Sequence, residues 1–135
     1  MYDIYTDGAC SGNPGPAGVG VIICKNRKVV AQLCIYLGEK TNNIAELESV
    51  RIGLNNIPKG SIANVYSDSE YTIGMLSKNW KAKANTELVF DIRELIIRNK
   101  LELTFVKVKG HSEHKGNTAA DHLAVRAYMK RDVTL

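Results

Sequence analysis

Long apolar runs are missing from this chain. No stretch approaches the roughly 20 residues that a helix needs to span a bilayer, and the opening Met1-Tyr2-Asp3-Ile4-Tyr5 carries an acid rather than the basic and apolar pattern of a secretory leader. Both absences lead us to expect a soluble, cytoplasmic protein with no membrane partner. Cysteine is scarce too: Cys10, Cys24 and Cys34 are an odd set without metal-ligand spacing. Cys24 and Cys34 fall in apolar runs, so buried, reduced thiols are expected there. No linker, repeat, low-complexity tract or heptad interrupts the 135 residues, which predicts one domain over 1–135 and a monomer with no obligate protein partner. An excess of either charge sign is also lacking. The net charge of +4 and pI near 9.0 do not by themselves establish a polyanionic partner, but they let a nucleic acid approach a local group of carboxylates.

What is present is a change of hydrophobic period. Tyr2 to Asp7 alternates as a half-buried strand does. Gly8 to Gly18, with four glycines and two prolines, reads as an irregular loop. Val19 to Cys24 and Val29 to Leu37 are apolar runs joined by Lys25-Asn26-Arg27-Lys28, a hairpin turn. Leu47, Val50, Leu54 and Ile57 then recur at helical spacing, with Thr41 or Asn42 as N-cap and Pro58 as stop. Ile62 to Ser67 predicts a fourth strand, Ser69 to Leu76 a short helix and Thr86 to Asn99 a long one. Leu101 to Val108 predicts a fifth strand and Asn117 to Tyr128 a closing helix. The order βββ-α-β-α-α-β-α implies an α/β fold: a five-stranded mixed sheet of three antiparallel and two helix-linked strands, flanked by helices.

Four carboxylates stand out on this frame. Asp7 and Asp68 end the first and fourth strands. If those strands are parallel neighbours, the two acids lie roughly 5 Å apart. Carboxylates that close repel, so one is protonated or a cation sits between them, and a hard ion such as magnesium takes oxygen ligands. On the first helix, Glu46 lies about 60° from the centre of the apolar stripe and Glu48 about 140°. Glu46 can therefore reach the sheet, while Glu48 points to water near Arg51. Asp121, in the first turn of the closing helix, is equally compatible with a role in stabilising that helix.

The segment Tyr5 to Gly18 (YTDGACSGNPGPAG) resembles the opening motif of type 1 ribonuclease H. Thr41-Asn42-Asn43-Ile44-Ala45-Glu46 resembles the second motif and Tyr66-Ser67-Asp68-Ser69-Glu70-Tyr71 the third. Lys109-Gly110-His111, followed ten residues later by Asp121, resembles the fourth. The resemblance implies the ribonuclease H fold, in a short form without the family's basic protrusion. It also implies hydrolysis of the RNA strand of an RNA/DNA hybrid to 5′-phosphate and 3′-hydroxyl ends. Asp7, Glu46, Asp68 and Asp121 would hold two magnesium ions about 4 Å apart, with manganese a substitute. One ion would activate the attacking water and the other would stabilise the leaving 3′ oxygen. His111 matches the mobile histidine that assists proton transfer or product release. His114 and His122 read as a loop and a surface residue. Gly8 and Cys10 (through backbone), Asn13, Asn42 and Asn43 match positions that touch the RNA, where the 2′-hydroxyl distinguishes it from DNA. Asn42 and Asn43 could instead cap the helix. Thr41 and Asn85 match a pocket for a DNA phosphate, and Trp80 and Lys81 a surface facing the DNA, although Trp80 could instead pack a loop.

Departures from the pattern leave the four carboxylates untouched. Only 77–85 remains where many members carry the basic protrusion. Glu70 stands where a polar amide is common, and Glu39, beside Lys40, where an arginine often occurs. The alternatives are the nuclease domain of a reverse transcriptase and a non-catalytic hybrid-binding module. The second is disfavoured because all four carboxylates are present.

Overall fold

The computed structural model describes residues 1–78, 80–109 and 115–131, and the backbone of 133–134. The elements follow the expected order: β1 (Tyr2–Cys10), β2 (Gly15–Lys25), β3 (Lys28–Lys40), α1 (Asn42–Asn55), β4 (Ile62–Ser67), α2 (Glu70–Ser77), α3 (Thr86–Arg98), β5 (Glu102–Lys107) and α4 (Lys115–Lys130). To these the structure adds β6 (Val133–Thr134), a two-residue edge strand on β3 that is too short to leave a periodic signal. The sheet order is β5-β4-β1-β2-β3-β6. β1, β2 and β3 pair antiparallel, and β4 pairs parallel with both β1 and β5. The β2–β3 turn is the pair Asn26-Arg27. Both have positive φ (51° and 67°), as a two-residue hairpin turn requires.

The glycine-rich stretch is not the loop its composition suggests. β1 runs on to Cys10 and β2 begins at Gly15, with Ala9 paired to Gly18 and Cys10 to Ala17. The non-strand part is only Ser11 to Pro14. The glycines sit inside the ladder because helices press on it. A Cβ on Gly20 would lie 1.9 Å from the carbonyl oxygen of Ala120, and one on Gly18 would lie 2.3 Å from that of Ala124. Fully buried Ala120, Ala124 and Ala127 complete the contact from the α4 side. Close helix–strand approach thus comes from small residues on both partners.

Alternation along β1 assigns its two faces. Ile4 and Thr6 point to α1, where Gly53 meets them, and Tyr5 points to α4, where Gly116 lies against its ring. Leu47, Val50, Leu54 and Ile57 are buried as their spacing predicts, and they join Val89, Ile92 and Leu95 of α3 in one core. Thr41 is the N-cap of α1, its hydroxyl accepting from the Ile44 N–H at 3.3 Å. None of the three cysteines is in a disulfide. Cys34 is buried as expected, whereas Cys24 is half-buried.

Candidate active site

Strand pairing delivers the first two acids. β1 and β4 run parallel in register up to Tyr5 opposite Tyr66, so Asp7 and Asp68 follow side by side. Asp7 does not end its strand, as the alternation suggested. It lies where β1 has left β4 and continues on β2 alone. From α1, Glu46 enters the same place: the Gly8 N–H donates to its Oε1, and a Cβ on Gly8 would lie 2.3 Å from the Ala45 carbonyl carbon. One ligand oxygen each from Asp7, Glu46 and Asp68 lies within 4.8 Å of the others. Glu48 instead pairs with Arg51, accepting from its Nε at 2.8 Å, as helical phase foretold.

Asp121 arrives from the opposite face of the sheet. α4 begins at Lys115, two residues earlier than expected, so Asp121 lies in the second turn and not the first. The end of the macrodipole therefore does not explain its position. Its side chain lines the same cleft as Asp7 and Asp68, close enough to the Asp7 carboxyl to raise that carboxyl's pKa. The start of α4 is fixed by Gly116 on the Tyr5 ring, which stacks on Tyr66 with centroids 4.6 Å apart.

Crowding so many carboxylates out of water disfavours their charged forms. Asp7, only 5% exposed, is pushed up to about 9 by burial first, then by the hydrogen bond with Asp121 and the charge of Asp68. Glu46, 8% exposed, is raised by burial first, then by the charge of Asp7 and the hydrogen bond with Asp68. The Gly8 N–H opposes that rise. An all-oxygen donor set, held together against its own repulsion, fits a hard divalent cation, which favours the ionised forms. Substituting Glu46→Gln is expected to cut activity by at least about a hundredfold. Glu48→Gln, which loses one surface ion pair, should change stability by no more than about 1 kcal/mol and leave activity intact. Equal activity losses in the two variants, read in a cleavage assay, would refute the phase argument.

A cleft of about 280 Å³ opens over Asp7, Asp68 and Asp121 and is also lined by Lys109, Asn117, Thr118 and His122. His122 was expected to be mere surface; it is exposed but forms part of this wall. Asn117 is a lining residue missed in the sequence. It precedes Asp121 by four, so helical spacing places it on the same face, and its Oδ1 is buried without a hydrogen-bond partner among the described residues. His111 and His114 lie outside the described residues.

The substrate candidates gather in two places. At the β1–β2 turn, the Asn42 N–H donates to Asn13 Oδ1 at 3.0 Å, and the Cys10 thiol lies 2.9 Å from Asn42 Oδ1. Asn42 and Asn43 are exposed, and the capping role belongs to Thr41. Asn85, in the left-handed region at φ 56°, precedes α3 and donates from Nδ2 to the Tyr71 hydroxyl at 3.2 Å. Trp80 does pack: its indole covers Gly74 of α2 and stays 39% exposed, with the Lys78 ammonium 5.7 Å from its ring centroid. Glu70 is the first residue of α2, where the helix dipole favours a carboxylate.

A mixed sheet with parallel strands leading into an acidic cleft, braced by helices on both faces, defines a phosphodiester-hydrolase type of centre. The comparisons with known proteins specify it further. The sequence matches the RNase H family profile over residues 1–129. It is 38% identical to a ribonuclease H of Trichodesmium erythraeum, covering 96% of this chain and 90% of that protein, and 39% identical to one of Chlorobium luteolum, covering 95% of each. Among solved structures, LC11-RNase H1 in complex with an RNA/DNA hybrid superposes with a TM-score of 0.82 at 29% identity, covering 97% of this chain and 99% of that one. An N-terminal RNase H domain from Mycobacterium tuberculosis gives 0.81 at 29% identity, covering 94% and 98%. The chain belongs to the ribonuclease H family and is a ribonuclease H enzyme.

Proposed function

We propose that this enzyme hydrolyses the RNA strand of RNA/DNA hybrids, with Asp7, Glu46, Asp68 and Asp121 holding two magnesium ions for which manganese can substitute. The observation that carries the reading is the convergence of the four carboxylates: Asp7, Glu46 and Asp68 offer oxygens within 4.8 Å of one another, and Asp121 lines a cleft with Asp7 and Asp68. When bound, such ions supply the Lewis acidity that phosphodiester hydrolysis to 5′-phosphate and 3′-hydroxyl ends requires. The chain's own residues position and polarise. The Gly8 N–H orients Glu46, and the Tyr5–Tyr66 stack supports the start of α4. His111 is assigned proton transfer or product release. Gly8, Cys10, Asn13, Asn42 and Asn43 are assigned to the RNA strand, where neutral amides read the 2′-hydroxyl without adding charge. Thr41, Asn85, Trp80 and Lys81 are assigned to the DNA strand. That a solved relative was captured on a hybrid supports this reading. One chain carries the whole acidic centre, so the catalytic unit is a single chain. Its three cysteines, none in a disulfide, suit the reducing cytoplasm.

The test is incubation with magnesium and labelled RNA/DNA hybrid, double-stranded RNA or double-stranded DNA, with and without EDTA, alongside Asp7→Asn. Cleavage confined to the RNA of the hybrid, lost with EDTA and in the variant, is expected. Cutting of all three substrates, or persistent cutting by the variant, would overturn the proposal. A basic segment inserted at Lys81 to Lys83 should tighten hybrid binding, and more so at low salt, because phosphate contacts dominate affinity. Unchanged affinity at low salt would count against a role for this surface.

A further inference from the structure

We infer that Arg93 is a positioning residue for the DNA strand: it clamps the short segment 80–85 onto the end of α2, so that Trp80, Lys81 and Lys83 stand as a preformed basic platform. The inference rests on the assignment of Trp80 and Lys81 to that strand. The stretch 77–85 holds three lysines and no acid. Lys78, Trp80, Lys81 and Lys83 are all exposed, and cations beside an aromatic face suit a nucleic-acid backbone. A short polar segment costs affinity when it must be ordered on binding, and that cost falls if it is ordered beforehand.

The segment is held at its start, middle and end. α2 closes on Lys78 (φ −102°, ψ 2°) without the left-handed glycine that commonly ends a helix. Its last carbonyls therefore look for donors. The Gly74 carbonyl accepts from two backbone N–H groups, those of Lys78 and Trp80, each at 3.2 Å. The Met75 carbonyl accepts from Arg93 of α3, from Nε at 3.1 Å and from Nη2 at 2.7 Å. The same Nη2 donates to the Trp80 carbonyl at 3.0 Å, so one guanidinium ties the helix end to the segment. The indole fills the space of the side chain that Gly74 lacks, where a Cβ would lie 2.1 Å from Trp80 Cε3. In the middle, Ala82 packs against the core. At the far end the Tyr71 hydroxyl donates to the Ala84 carbonyl at 3.3 Å and accepts from Asn85 Nδ2 at 3.2 Å.

Arg93 is in no ion pair among the described residues, so its charge adds to the platform and complements the C-terminal end of α2. Its planar fork serves two carbonyls at once, a geometry that a lysine ammonium does not reproduce. α2 starts two residues after Asp68, and its eight residues rise about 12 Å. Clamping its far end fixes the span between a carboxylate assigned to metal and the platform assigned to the DNA strand. No residue of α3 or of 80–85 lines the carboxylate cleft, so Arg93 should act on binding and not on bond breaking.

Trp80 is the single tryptophan of the chain, and its fluorescence reports on the platform directly. Arg93→Met keeps the aliphatic stem and loses the donors. It should raise acrylamide quenching of Trp80 in the free protein and weaken binding of a labelled RNA/DNA hybrid in EDTA by about five- to tenfold. With magnesium, KM should rise while kcat stays within about twofold. Arg93→Lys keeps the charge without the fork and should resemble Arg93→Met. Lys81→Ala with Lys83→Ala should weaken binding and leave the quenching unchanged, because it removes charge and spares the clamp. Circular dichroism would verify that each variant is folded at the assay temperature. Normal binding by Arg93→Met beside weak binding by the lysine variant overturns the inference and leaves the DNA assignment standing. Normal binding by the lysine variant overturns the DNA assignment and the inference with it. Full affinity in Arg93→Lys with raised quenching would make Arg93 a direct phosphate contact, which also overturns the clamp.

Discussion

Asp7→Asn is expected to abolish hybrid cleavage, by at least about a thousandfold, and at the same time to make the metal-free protein more stable. Both effects come from one carboxyl. In the folded chain Asp7 is pushed up to about 9, whereas in the unfolded chain it titrates near about 4. The folded state therefore holds this proton more tightly. Stability from this group is complete below about pH 4 and is lost as pH rises toward about 9. Glu46, raised for the same reasons, adds a slope of the same sign. An asparagine keeps the shape without the charge. At about pH 8 it should raise stability by about 1–3 kcal/mol, which is several degrees in Tm. Magnesium should raise the Tm of the unmodified chain more at about pH 8 than at about pH 5, because it binds the ionised carboxylates. Thermal melts at both pH values, with magnesium or with EDTA, measure all three quantities. A variant with the parent's metal-free Tm and pH slope would contradict the crowding of charge described above.

Gly20→Ala should be strongly destabilising. The new Cβ would lie 1.9 Å from the Ala120 carbonyl oxygen and 2.7 Å from the Ala124 nitrogen, and both of these are backbone atoms of α4. Neither can swing aside as a flexible side chain could, so α4 must shift as a unit. A cost of about 3 kcal/mol is expected, at the upper end for overpacking. Because α4 carries Asp121, the same shift moves that carboxyl away from Asp7. Cleavage per folded molecule should therefore fall along with stability. Denaturant unfolding measures the first effect, and activity normalised to the folded fraction measures the second. Full activity in the folded fraction would show that Asp121 is not positioned by this contact.

Local periodicity was a good guide wherever an element's own neighbours decide its environment. The phase of α1 separates Glu46 from Glu48, and the structure puts the first among carboxylates and the second on Arg51. Asp7 and Asp68 were expected side by side only if β1 and β4 are parallel neighbours, and the structure pairs those strands. Composition misled at Gly8 to Gly18, because glycine signals loops in isolation. Here it clears space inside a sheet for the backbones of α1 and α4. Trp80 left two readings open, and only the missing side chain of Gly74, distant in space until the chain folds, accounts for where the indole rests.

The sequence by itself determined the element order, the inward turn of Glu46 and, through four motifs in series, membership of the ribonuclease H family. Each of these follows from a pattern repeated over a few residues, which is where backbone geometry fixes direction. The tertiary structure alone decided that Asp121 reaches Asp7 across the sheet, that Asn117 and His122 line the same cleft, and that Phe90 and Ile97 remain uncovered. These are distances between segments set by how closely α4 and α3 pack on their neighbours, and no periodicity within one segment encodes them.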